Sequence, residues 1–229
     1  MADPRDEFIR KVVAGKTFAD LGGLWGTVNE KISVAHQAGA TRLTMIDRIT
    51  PAEEDWRLFD ERRRQLGVPE VECISKDILA LADTPPYPQY DVVNCGGVFY
   101  HIPDPMRLLT TLRKITREYL VLTSIVTQTK VKSAAGTLDV PEGSALFVPA
   151  LRGRELEIVK SYWQRFVGEG AIGLTLETQT WKEDNYVPWW WLPTVETLKA
   201  MATTAGFELL EGSPFWDGNA YTQLLRTKK

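Results

Sequence analysis

A chain of 229 residues, 44% hydrophobic and 25% charged, is long enough to bury one large core, and no Ser/Gly-rich or charged linker divides it, so one compact domain with an embellishment is expected. The formal net charge of −3 comes from intermixed charges of both signs, which provides no basic field for a phosphate backbone and argues against a nucleic-acid partner. Met1 to Lys11 is charged and no stretch approaches the roughly 20 apolar residues of a membrane span, so a cytoplasmic chain with no membrane partner is expected.

Short apolar runs alternate with segments of helical period, the pattern of a parallel sheet covered by helices on both faces, and the fold class is α/β. Lys16 to Leu21 reads as the first strand. It turns through Asp20-Leu21-Gly22-Gly23-Leu24-Trp25-Gly26 into a helix that carries Val28, Ile32 and Ala35 on one face and closes at Gly39. Glycines at such a turn let the backbone approach a ligand, and an acidic residue two positions before the first glycine suits an ammonium group; the dinucleotide fingerprint is absent. The alternative is a tight turn without a ligand.

Arg42 to Asp47 is the second strand. Asp47 follows Gly26 by 21 residues, a spacing at which a carboxylate accepts from both hydroxyls of an adenosine ribose, or else simply opens the next turn. Thr50-Pro51-Ala52-Glu53 reads as a capping box for a helix that runs to about Gly67. Val71 to Ser75 is a third strand, after which Asp77 suits an adenine amino group and Ile78 its ring, with a helix N-cap as the alternative for Asp77. Cys73 and Cys95, both in strand-like runs, read as buried reduced thiols, and with His36 and His101 in unrelated contexts no metal site is expected.

Tyr90 to Cys95 is the fourth strand and ends in Gly96 and Gly97. His101 lies just past that end, where open α/β sheets bind ligands; it is a candidate general base, or a residue that hydrogen-bonds the turn. Tyr100 is a candidate contact to cofactor or acceptor. Asp104-Pro105 starts a helix through Met106, Leu109 and Leu112, and Glu118 to Val126 makes the fifth strand. From Thr127 to Val187 the alternation lapses into Gly, Pro and aromatic residues around one amphipathic helix from about Arg154 to Phe166, and we read residues 127–187 as an insertion. Its aromatic residues and those just after it, Tyr162, Trp181, Tyr186 and Trp189 among them, form either a lid that contacts substrate or a small core of their own. Exposed tryptophans there leave monomer and homodimer both open. The pattern resumes with a helix from Thr194 to Gly206 and closing strands at Phe207 to Leu210 and Tyr221 to Leu225, so residues 1–126 and 188–229 make up the core.

DLGGLWG, the strand-terminal Asp47, Asp77-Ile78 and YDVVNCGG together resemble the class I S-adenosylmethionine-dependent methyltransferases. Gly97 to His101 and the run from Trp191 through Ala205-Gly206-Phe207 are similar to a subgroup holding the tRNA wobble-uridine carboxymethyltransferases and many small-molecule methyltransferases. The resemblance implies a Rossmann-like, mostly parallel seven-stranded sheet with the aromatic insertion after the fifth strand. It implies S-adenosyl-L-methionine as cofactor, held by Asp20, Gly22, Gly23, Gly26, Asp47, Arg48, Asp77, Ile78, Asn94 and Gly96. The acidic balance favours methyl transfer to a small-molecule acceptor, a hydroxyl of a sugar, glycan or secondary metabolite, over a tRNA-modifying reaction; a noncatalytic member of the fold is the third reading.

Overall fold

A computed structural model describes residues 3–24, 30–168, 174, 182 and 187–228. Gly26, Trp181 and Tyr186 lie outside them. The central sheet joins β1 (Thr17–Leu21), β2 (Arg42–Asp47), β3 (Glu72–Ser75), β4 (Tyr90–Gly96), β5 (Thr116–Ile125), β10 (Phe207–Phe215) and β11 (Ala220–Thr227) in the order β10-β11-β5-β4-β1-β2-β3. β1 is parallel to β2 and β4, β4 to β5 and β2 to β3, whereas β11 runs antiparallel to both of its neighbours. The seven-stranded α/β expectation therefore stands.

Strand residues alternate between two cores because successive side chains leave opposite faces of a strand. Ala19, Leu21, Val93 and Cys95 enter a core covered by α4 (Pro105–Ile115) and α6 (Val195–Thr204). Phe18, Met45 and Val92 enter another, covered by α1 (Pro4–Val12), α2 (Ile32–Gln37) and α3 (Glu54–Gln65). Asp20 and Asn94 share the parity of Phe18 and Val92, so both carboxylate and amide face α1.

α1 is absent from the periodicity reading, although Asp3 accepts from Arg5 N at 3.0 Å as N-cap and Pro4 sits at the first helical position, a start signal readable from Asp3-Pro4 alone. The Thr50–Glu53 pair does form, with the Glu53 carboxylate accepting from Thr50 Oγ1 at 2.8 Å, but it closes a turn and the helix begins at Glu54. Cys73 corrects the expectation of a buried thiol: it lies exposed on β3, the edge strand. Among the described residues no helix is long and apolar enough to cross a membrane.

The insertion holds a hairpin of β6 (Lys130–Ser133) and β7 (Gly136–Asp139), then β8 (Ala145–Phe147) and α5 (Gly153–Val167). β8 pairs antiparallel with β9 (Trp191–Pro193), so a segment read as core from its sequence is stitched to the insertion by backbone hydrogen bonds. Ile125, Val159, Tyr162, Trp163, Trp189 and Leu192 belong to a third core beneath α5.

Candidate cofactor and acceptor site

The C-terminal ends of β1, β2 and β4 meet where the chain has little side chain to interpose. Gly22 has φ +74°, a left-handed conformation that glycine adopts without strain, and a Cβ there would stand 2.5 Å from Val98 Cγ2 and 3.9 Å from Ile78 Cδ1. A Cβ on Gly23 would stand 2.4 Å from Asp20 Oδ2. The two glycines therefore allow a close approach of backbone to Ile78, Val98 and the Asp20 carboxylate that no other residue type permits.

Asp20 is buried. Its carboxylate accepts from Lys31 N and Asn94 Nδ2, each at 2.7 Å. Burial raises its pKa from the ordinary 3.8 to about 6, outweighing those two hydrogen bonds, which lower it. The sign of the consequence is fixed: the folded chain binds a proton that the unfolded chain has already released between about pH 4 and about pH 6. The Asp20 contribution to stability is therefore greatest below the ordinary pKa and falls by about 3 kcal/mol as pH rises through the folded one, against a contribution from His101 that grows with pH because its pKa is lowered. We expect Asp20→Asn to remove the falling component, so that urea midpoints of the variant rise relative to the parent between about pH 4 and about pH 7. An unchanged slope in the variant would sink the assignment.

Asp47, also buried, accepts from Leu24 N at 3.3 Å and Ile49 N at 3.2 Å, and its pKa is raised by burial. One carboxylate thus ties the end of β2 to the glycine turn after β1. Arg48 follows it on the same bend and is half-buried. Asp77 accepts from Leu79 N at 2.7 Å as N-cap of the short helix Ile78–Ala82, which orients Ile78 toward Gly22. Among the described residues Asn94 Oδ1, inside the same wall, is buried without a hydrogen-bond partner. A group buried in this way costs about 1–3 kcal/mol unless something donates to it.

Past the end of β4, His101 makes the structural hydrogen bond that was the alternative to a general base. His101 Nδ1 lies 3.1 Å from Pro188 O, and burial pushes its pKa down to about 4 against the raising effect of the Pro188 and Val187 backbone. A ring held this way is a weak base near neutrality; the geometry gives His101 the task of fastening the end of the insertion, corroborated by Trp190 N donating to Tyr100 O at 2.8 Å. Burial pushes the Tyr100 phenol up to about 12, so it stays protonated. Its ring meets Trp189 edge-on at 5.6 Å and lies 4.2 Å from the His101 ring.

Tyr162 and Trp189, read as substrate contacts, are both buried in the third core, and the Tyr162 hydroxyl donates to Asn219 Oδ1. The aromatic density thus serves packing first, with Trp163 meeting Trp189 at 5.0 Å and Trp216 at 5.8 Å. Arg5 and Lys31 are the residues of this region that the sequence reading does not find. Nothing in their spacing to the glycine turn marks them.

No protein-family model matches this sequence, and no curated relative matches it. Solved structures do. A possible exported protein from Bordetella parapertussis superposes with a TM-score of 0.61 at 15% identity, over 99% of this chain and 67% of that one. The 1,6-didemethyltoxoflavin N1-methyltransferase of Burkholderia thailandensis, bound to S-adenosylhomocysteine, gives 0.57 at 10% identity over 99% and 77%. Magnesium protoporphyrin IX methyltransferase from Synechocystis, also with S-adenosylhomocysteine, gives 0.58 at 14% over 99% and 82%. At such identities the likeness establishes the fold alone, a Rossmann-like, mostly parallel seven-stranded sheet with helices on both faces.

Proposed function

We propose that this protein transfers a methyl group from S-adenosylmethionine to a small-molecule acceptor. The observation that carries the reading is the convergence of a glycine-walled turn, two buried carboxylates and the orphaned Asn94 Oδ1 at one end of the sheet. That set of acceptors fits the ribose hydroxyls and ammonium group of an adenosyl amino acid. Asp47 would take the ribose hydroxyls, Asp20 and Asn94 the amino group, while Ile78 and Val98 offer an apolar wall to a ring. When bound, the cofactor supplies an electrophilic methyl group on a sulfonium.

Displacement at such a centre consumes a positive charge, so the protein's share is alignment and exclusion of water rather than stabilisation of new charge. Tyr100, His101 and Trp189, packed together past the end of β4, would do that here: the rings shield the site from water, and the His101 link to Pro188 fixes the edge of the insertion. With His101 held near pKa 4, the acceptor that fits is one already nucleophilic or ionised near neutral pH. The small-molecule substrates named for the Burkholderia and Synechocystis enzymes and the net charge of −3 support a small acceptor over RNA.

Isothermal titration calorimetry of the whole chain with S-adenosylmethionine and S-adenosylhomocysteine tests this. We expect saturable binding of both at one site per chain. Absence of binding to either ligand overturns the proposal.

A further inference from the structure

We propose that Arg5 of α1 is the carboxylate-binding residue of the cofactor site and that, with Asp20 and Asn94, it forms a pocket for the zwitterionic end of an α-amino acid. The inference rests on the cofactor reading above and adds to it a residue from outside the sheet.

Arg5 Nε and Nη2 donate to the Asp3 carboxylate at 3.0 Å and 2.7 Å, which aims the third nitrogen at the sheet. A Cβ on Gly96 would stand 2.9 Å from Arg5 Nη1 and 3.4 Å from Arg5 Cδ, so glycine at the end of β4 is what admits the guanidinium. Gly96 follows Asn94 by two residues and therefore shares its face. Asn94 in turn lies opposite Asp20 in the β1–β4 register. One face beneath α1 thus brings together a cationic donor, a carboxylate and an amide oxygen without a donor. Arg5 lies near enough to Asp20 and to Tyr100 that its charge lowers the pKa of both against the dominant effect of burial.

The ion pairs point the same way. Lys31 Nζ, buried, donates to Asp3 Oδ2 and Asp6 Oδ1, each at 2.7 Å. Asp3 and Asp6 are thus engaged by Arg5, Lys31 and, at 3.9 Å, Arg10, whereas Asp20 has no ion-pair partner among the described residues. A zwitterion adds no net charge. Its ammonium would balance Asp20, and its carboxylate would take the free edge of Arg5, in the forked geometry that guanidinium favours. Asp3 and Lys31 are positioning residues in this arrangement, and because Lys31 N also donates to Asp20, the same residue fastens α1 to the cofactor turn.

The test compares ligands that differ only at the amino-acid end. Calorimetry on the full chain should show decarboxylated S-adenosylmethionine binding about tenfold more weakly than S-adenosylmethionine, the loss of one charge-assisted contact. Arg5→Met should weaken S-adenosylmethionine by a similar factor, bind the two ligands alike, and leave 5′-methylthioadenosine, which lacks the amino-acid end, unchanged. If the unaltered protein binds the decarboxylated ligand as tightly as the intact one, the proposal fails, and that comparison needs no variant to fold. It fails equally if Arg5→Met weakens 5′-methylthioadenosine as much as S-adenosylmethionine, since Arg5 would then only hold α1 in place. Failure of all three ligands to bind the unaltered protein would instead remove the cofactor reading itself.

Discussion

Asp47→Ala is expected to weaken S-adenosylhomocysteine binding about a hundredfold or more. A carboxylate that accepts from two hydroxyls makes two charge-assisted hydrogen bonds, each contributing about 1.5–3 kcal/mol, and every ~1.4 kcal/mol is a factor of ten. The substitution also strands the amides of Leu24 and Ile49, which Asp47 holds at 3.3 Å and 3.2 Å, so part of the loss comes from a loosened turn. Asp47→Asn separates the two contributions because it keeps an oxygen for one amide and removes the charge. We expect it to bind with intermediate affinity while its thermal midpoint stays near that of the unaltered protein. Calorimetry showing Asp47→Ala within about threefold of the parent, well under 1 kcal/mol, would remove Asp47 from the site.

Trp163→Ala should be the most destabilising single change in the insertion, by about 3–5 kcal/mol. Trp163 is 1% exposed and stands at the centre of the aromatic cluster, in ring contact with Tyr162, Phe166, Trp189 and Trp216. Truncation would leave a cavity that these rings, held by α5 itself, by the segment before β9 and by the β10–β11 turn, cannot close together. Because Trp189 also packs against Tyr100, loss of the cluster should loosen the fastening of His101 and weaken activity along with stability. Urea unfolding monitored by circular dichroism and by tryptophan fluorescence measures the cost. A shift below about 1 kcal/mol would mean that these rings are not a packed core, and would return them to the role of a mobile lid over the acceptor.

Much of the fold was legible because a parallel sheet writes itself as apolar runs of fixed length separated by amphipathic helices. β2 begins and ends at the residues expected, and β1, β3 and β4 are displaced by one residue at one end only. Boundaries drifted where the local signal is shared between elements. The expected start of the fifth strand at Glu118 is late because α4 passes into β5 with no intervening turn. β10 and β11 run longer than expected at the ends that carry Glu211, Gly212, Ser213, Arg226 and Thr227, polar or small residues that are exposed or half-buried and so escape a reading based on buried runs.

The sequence by itself determined the α/β class, the glycine turn after β1 and the strand-terminal positions of Asp20, Asp47 and Asn94, since each depends on local periodicity or on residue types that only a turn tolerates. Only the tertiary structure decided what those groups face. Arg5 reaches Gly96 from a helix whose own sequence carries no trace of the site, His101 meets the backbone of Pro188 87 positions away, and Trp191 joins β8 rather than the core. The physical reason is that a hydrogen bond or an ion pair is made between atoms brought together by packing, and a guanidinium, imidazole or indole takes its role from the neighbours that packing assigns to it.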